Sequence, residues 1–223
     1  MERWSAHGNV YLLSEEALDP TRARAEVGAA DGIVQVLARG EDWAEVVIWN
    51  PDGSTAEMSG NATRIAAAWL GAASTRIRVG GREVTARRLD DGRIEQELGA
   101  VNVLPPERVA DLDVIVVDVG NPHAVVLGDP ADLPQIGPRL EMHPRFPHRT
   151  NVQVARVDSP GRVTARVWER GVGETSASGT SAVAVAAATH AEGEVVVSFP
   201  GGDLDVRLED GRAWLTGPAE RVG

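Results

Sequence analysis

Apolar and polar residues alternate with a period of two through most of this chain, and that period predicts strands. Val10–Leu13, Ile33–Ala38 and Ala44–Trp49 are β-branched or alternating stretches bounded by Gly, Asp and Pro. Thr75–Val79 and Glu83–Arg88 flank Gly80-Gly81, and Asp90-Asp91-Gly92 leads from there into Arg93–Leu98, so two hairpins follow in succession. The same grammar returns later. Val114–Val119 precedes Ala124–Leu127, Val152–Val157 precedes Val163–Trp168, and Gly201-Gly202 joins Val195–Phe199 to Leu204–Leu208. Asp210-Gly211 introduces a last short strand, Ala213–Thr216.

Two segments break this rhythm. Asn61–Leu70 ends at Gly71 and Thr180–His190 ends before Gly193; both are Ala-rich and apolar around most of their circumference. A helix of that kind is predicted to be buried on all sides. Each is introduced by Ser-Gly, at Ser59-Gly60 and Ser178-Gly179, and each follows a strand carrying tryptophan and then a polar turn. WNPDGSTAEMSG stands against WERGVGETSASG. This is the pattern of an internal duplication. The expected fold is α/β (α+β): two pseudo-symmetric units, each a β-rich sheet wrapped around one central helix. The expected boundaries are 1–104 and 105–211, divided near Pro105-Pro106, with 212–223 completing the first unit.

Composition narrows the chemistry. The net charge of −11 argues against nucleic acid and against an anionic membrane. The first twenty residues hold no apolar run behind a basic start, and no later run is long enough to span a bilayer. A cytoplasmic protein is expected. There is no cysteine, which removes disulfides, thiolate chemistry and zinc–sulfur sites. There is no lysine either, which removes a Schiff base to pyridoxal phosphate and a P-loop lysine. His143 and His148 sit in a Pro-rich stretch without a ligand pattern, so no metal is expected.

At both Ser-Gly sites the first N–H groups of a helix lack intrahelical partners, with the positive end of the helix dipole behind them. Such a place binds a carboxylate. A serine there is, taken singly, an ordinary N-cap. Two of them related by duplication suit a different task, because inversion at a stereocentre needs acid/base groups on opposite sides of the carbon.

The residues that carry these features resemble diaminopimelate epimerase from end to end. The matching stretches are HGN at 7–9, WNPDGSTAEMSGNATR at 49–64, GNPHAVV at 120–126 and TNVQVARV at 150–157. RVWERGVGETSASGTSA at 166–182 and LTGPAERV at 215–222 continue the match. The resemblance implies two barrel-like units with the active site in a cleft, and cofactor-independent proton transfer at the α-carbon of an amino acid. It implies LL- to meso-diaminopimelate conversion, in lysine and peptidoglycan biosynthesis. It puts the two catalytic positions on Ser59 and Ser178, where the family has cysteine. Substrate contacts fall on Asn9, Asn50, Asn121 and Asn151, with Glu169 and Arg170 holding the distal end or orienting the catalytic groups. Gly60, Asn61, Gly179 and Thr180 match the cradle of the α-carboxylate, and His123 a supporting histidine beside one catalytic residue. The implied partner is a small-molecule amino acid; a homodimer is left open.

The match breaks at its chemical centre. A thiol has a pKa near about 8.5 and an alkanol is several units less acidic, each unit being worth about 1.4 kcal/mol. A helix dipole supplies at most ~2 kcal/mol of that difference. Family glycines are also replaced, by Ala62 and Ser181, and the loop before Asn9 is two residues shorter. Alternatives therefore stand beside the epimerase: an amino-acid-binding relative with impaired catalysis, or a related one-base isomerase or dehydratase.

Overall fold

The computed structural model describes residues 1–223. The first unit comprises Met1–Glu97 and Thr216–Gly223; the second comprises Leu98–Leu215. The division lies inside a strand, ahead of the Pro105-Pro106 pair. No helix is long and apolar enough to cross a membrane.

In unit 1 the elements are β1 (Glu2–Ala6), β2 (Asn9–Ser14), α1 (Pro20–Glu26), β3 (Gly32–Arg39) and β4 (Trp43–Trp49). They continue with β5 (Thr55–Ala56), α2 (Gly60–Leu70), β6 (Ser74–Val79) and β7 (Arg82–Arg88), then β8 (Ile94–Ala100), which runs across the division. Unit 2 holds β9 (Asn102–Val103), β10 (Glu107–Val109), β11 (Leu112–Asp118), β12 (Pro122–Leu127) and, after a 3-10 turn, α3 (Leu133–Glu141). It goes on through β13 (Asn151–Ser159), β14 (Arg162–Glu169), β15 (Gly173–Thr175), α4 (Gly179–Thr189), β16 (Gly193–Phe199) and β17 (Gly202–Glu209). β18 (Arg212–Gly217) leads back into unit 1, where β19 (Glu220–Arg221) pairs antiparallel with β1.

The pairings repeat in order. β1 and β2 are antiparallel, β2 and β3 parallel, and β3 and β4 antiparallel; after α2, β6 lies parallel to β4. β11 and β12 are antiparallel, β12 and β13 parallel, and β13 and β14 antiparallel; after α4, β16 lies parallel to β14. A helix fills each parallel crossover, α1 and α2 in one unit and α3 and α4 in the other, as parallel strands require a long connection. Even the irregularities correspond, with a register shift at Val36/Ala38 and another at Val157/Ser159.

Each central helix packs against the strands of its own unit. Ala62, Ile65, Ala66 and Ala67 of α2 pack against Val34, Val46, Ile48 and Ile77 in one core cluster. Alanine on the helix lets strands approach closely, and each buried Val or Ile contributes about 1.5–3 kcal/mol relative to exposure. α2 begins at Ser59, whose extended backbone and side chain cap it, and ends at Gly71 in the left-handed conformation with its N–H on Ala67 O. From Gly179 to Ala186 every residue of α4 is buried.

α1 and α3 lay outside the expected elements. α1 is capped by Asp19, which accepts from Arg22 N, with Pro20 in the first turn. α3 contains Pro138 and Gly137, which weaken any helical signal, and Leu133 and Leu140 anchor it by full burial. Tertiary burial overrides local propensity there.

Candidate functional site

Each unit presents the same feature, a turn after a tryptophan-bearing strand that delivers a serine to the start of the central helix. In unit 1 the turn is closed by Asn50, which donates from its amide to Ser54 Oγ at 2.9 Å and from its backbone N–H to Ser54 O at 2.8 Å. Gly80 packs beneath the approach to Ser59: its φ is +56°, and a side chain there would overlap the Glu57 carbonyl oxygen.

Ser59 is half-buried and extended, and its Oγ accepts from Ala62 N–H at 3.3 Å. The N–H groups of Gly60 and Asn61 have no acceptor within the helix, because Thr63 N–H makes the first intrahelical bond, to Ser59 O at 3.0 Å. Gln96 of β8 braces this end: its amide donates to Gly60 O at 2.8 Å and its Oε1 accepts from Thr63 Oγ1 at 2.8 Å. Arg64 is fully buried one turn on and donates from Nη2 to Asn61 Oδ1 at 2.7 Å. Burial lowers the Arg64 pKa to about 10, so the guanidinium keeps its charge at neutral pH. Asn9 is buried at the start of β2.

Unit 2 builds a different surround. Ser178 is also extended and buried, but its side chain makes no cap hydrogen bond. Beside it runs a buried chain of amides. Gln153 donates from Nε2 to His123 Nδ1 at 3.0 Å and to Ser181 Oγ at 2.9 Å. An amide NH2 can only donate, so Nδ1 is the accepting nitrogen and Nε2–H donates to Asn121 Oδ1 at 2.9 Å. Asn121 in turn donates to Thr180 Oγ1 at 3.4 Å, in the first turn of α4. Burial, with the Arg170 charge adding to it and the Gln153 bond opposing, takes the His123 pKa down to about 3. His123 is thus neutral, with both nitrogens engaged. It orients Asn121 and has no free lone pair with which to assist Ser178.

Asn151 is similarly committed. It donates to Pro122 O at 3.0 Å and accepts from Arg170 N–H at 3.0 Å, tying β12 to the turn after β14. Glu169 accepts from Thr175 Oγ1 at 2.6 Å across the β14–β15 hairpin. The Arg170 side chain is exposed. The turn that carries both is held from below by Glu141 of α3, which accepts from the Trp168 indole and from Gly171 N–H, each at 2.8 Å.

The structure thus gathers Asn121, His123, Asn151 and Thr180 in unit 2, and Ser59, Gly60 and Asn61 in unit 1. Asn50 is turned to its own loop and the Arg170 guanidinium to solvent. Sequence reasoning missed Gln153, Glu141, Gln96, Arg64 and Tyr11, whose hydroxyl lies 3.3 Å from Ser59 Oγ. Only the positions of Arg64, inside the GNATR match, and of Gln153, inside the TNVQVARV match, offered a signal. Ser181 turns its hydroxyl to Gln153 inside the core.

A family model described as diaminopimelate epimerase matches residues 115–222. A diaminopimelate epimerase from Desulforudis audaxviator is 39% identical over 86% of this chain and 82% of its own length. One from Synechococcus is 36% identical over 99% of this chain and 90% of its own. In fold, a PhzF-family phenazine biosynthesis protein from Bacillus anthracis superimposes with a TM-score of 0.76 at 14% identity, over 100% of this chain and 96% of its own. A hydroxyproline epimerase from Agrobacterium vitis with bound trans-4-hydroxy-L-proline gives 0.71 at 15%, over 100% of this chain and 90% of its own. With relatives this similar along nearly its whole length, the chain belongs to the diaminopimelate epimerase family.

Proposed function

We propose that this protein epimerises diaminopimelate at its α-carbon, from the LL to the meso form, without a cofactor. The observation that carries the reading is the serine at the start of α2 and of α4, at the same point of the same strand order, in a chain 36% identical to a diaminopimelate epimerase over 99% of its length. Two-base epimerisation asks each unit for one proton carrier, Ser59 in one and Ser178 in the other. The N–H groups of Gly60 and Asn61, and of Gly179 and Thr180, are the donors suited to the α-carboxylate, whose charge the helix dipoles stabilise. As the Cα proton leaves, negative charge spreads into that carboxylate, so the same donors stabilise the transition state. Asn9, Asn50, Asn121, Asn151, Glu169 and Arg170 are assigned to the rest of the zwitterionic substrate, with His123 holding Asn121. We assign it no nucleic acid or membrane partner.

A second reading has one observation in its favour. Ser178 has no cap bond, and His123 is neutral with both nitrogens engaged, so His123 does not activate the Ser178 hydroxyl. That favours a one-base reaction. Incubation with LL-diaminopimelate in D2O separates the readings, with Cα–H exchange followed by NMR and stereoisomers resolved chromatographically. Exchange with formation of the meso isomer is expected. Exchange with full retention supports the one-base reading, and binding with no exchange supports an amino-acid-binding protein.

A further inference from the structure

The chain has one tyrosine, and it touches one of the two serines. We propose that Tyr11 is the proton relay of unit 1, exchanging its proton with Ser59 while the buried Arg64 cation stabilises its phenolate. The inference rests on the epimerase reading above and supplies what a serine lacks, a neighbour far more acidic than an alkanol.

The geometry is local and complete. Tyr11 Oη and Ser59 Oγ are 3.3 Å apart, and Tyr11 is 8% exposed, so the pair sits at the edge of the core. The ring has room because β3 offers Gly32 opposite it: a Cβ at that glycine would come within 2.7 Å of the tyrosine ring. Behind the pair, Arg64 is 0% exposed, and its Nε and Nη1 meet no acceptor. A buried guanidinium with no carboxylate partner is costly unless a negative charge can form near it. The ionised Tyr11 hydroxyl is the charge that favours the Arg64 cation, and by reciprocity the cation favours the phenolate. Other elements oppose this. Burial disfavours the phenolate, and the Asp31 carboxylate, which accepts from Val10 N–H at 2.7 Å, stands at the start of β3. From β1, Trp4 lies opposite Tyr11 and donates its indole N–H to Glu2 at 3.2 Å. Asp31 is exposed and Glu2 half-buried, so solvent weakens both relative to the buried Arg64.

The step balances within the pair and the substrate. As Ser59 Oγ takes the Cα proton, the C–H bond breaks and its electron pair stays on carbon, delocalised into the α-carboxylate. The original Ser59 hydroxyl proton passes to the Tyr11 phenolate. Serine ends as it began, tyrosine has gained a proton, and the negative charge has moved to the substrate. The reverse sequence delivers a proton.

Because Tyr11 is the sole tyrosine, the phenolate absorbance of the intact protein titrates it alone. A midpoint below the ordinary value of about 10 is expected, and Arg64→Met should raise it. Tyr11→Phe keeps the ring and removes the relay. The rate of Cα–H exchange with diaminopimelate in D2O should fall by roughly 10²–10⁴-fold, the range for a general acid/base, and the inflection at the phenolate midpoint should vanish from its pH profile. A midpoint at or above the ordinary value overturns the relay, and it decides the matter even if the variant does not fold. So does an unchanged rate and pH profile in a folded Tyr11→Phe, which leaves the epimerase reading intact. Absence of exchange by the unsubstituted protein overturns both.

Discussion

In unit 1 the serine ahead of the central helix caps that helix and touches a tyrosine hydroxyl, with a buried guanidinium whose Nε and Nη1 meet no acceptor; in unit 2 its counterpart caps nothing, and the polar groups beside it bond among themselves. The backbone topology is the same in both. What differs is which side chains the strands send toward the helix start. β2 and α2 send Tyr11 and Arg64, groups that can exchange or stabilise charge; β12 and β13 send His123 and Gln153, which close a neutral hydrogen-bonded chain onto Asn121 and Ser181. A duplicated fold repeats the place of the serine without repeating its surroundings.

The largest expected effect tests the neutral half. His123 has a folded-state pKa of about 3 against an ordinary value near 6.5. The folded pKa is depressed, so the unfolded chain binds the proton first as pH falls. The associated stability is fully present above about pH 6.5 and is lost on descending toward about pH 3, amounting to roughly 4–5 kcal/mol. Urea unfolding of the parent and of His123→Gln across that range should show the parent's slope flattened in the variant. Equal slopes would show that His123 is protonated in the folded protein.

Next comes the comparison of the serines themselves. Ser59→Cys with Ser178→Cys should raise Cα–H exchange by about 10²–10³-fold, since thiols at helix N-termini ionise near neutral pH and hydroxyls do not. The single changes should be unequal. Ser178→Cys should gain more, because Ser59 already has a neighbour with which to exchange its proton. Equal gains, read by initial-rate NMR, would erase the asymmetry.

A smaller effect belongs to Ser181. Ser181→Gly leaves Gln153 short of one buried acceptor and places glycine inside α4, at a cost of about 2 kcal/mol. Thermal unfolding checks it; a stabilised variant would mean that the serine is tolerated rather than used. The smallest effect separates the caps. Ser59→Ala should cost about 1 kcal/mol and Ser178→Ala close to nothing, because only Ser59 accepts from a helix N–H. Denaturant midpoints of the two variants at neutral pH read this difference directly.

The longer strands, both central helices and the repeated serine were legible in the sequence, because each follows from a local pattern; the short strands and the parallel pairings were not. Period-two alternation marked the strands within a residue or two, and the Ala-rich runs with Gly71 or Gly193 after them marked α2 and α4. α3 was hidden because Gly137 and Pro138 deny it local propensity, and burial of Leu133 and Leu140 supplies the stability instead. The functional candidates divide in the same way. Ser59, Asn61, Asn121 and Thr180 lie within contiguous motifs. Tyr11 is 48 positions from Ser59 and Gln153 is 30 from His123, so no window of sequence contains either pair. Proton affinity depends on desolvation and on what lies within a few ångströms. The sequence alone determined that two serines would start two buried helices. That one would meet a phenol and a buried cation, and the other a neutral amide chain, was decided only when the sheets closed around those helices.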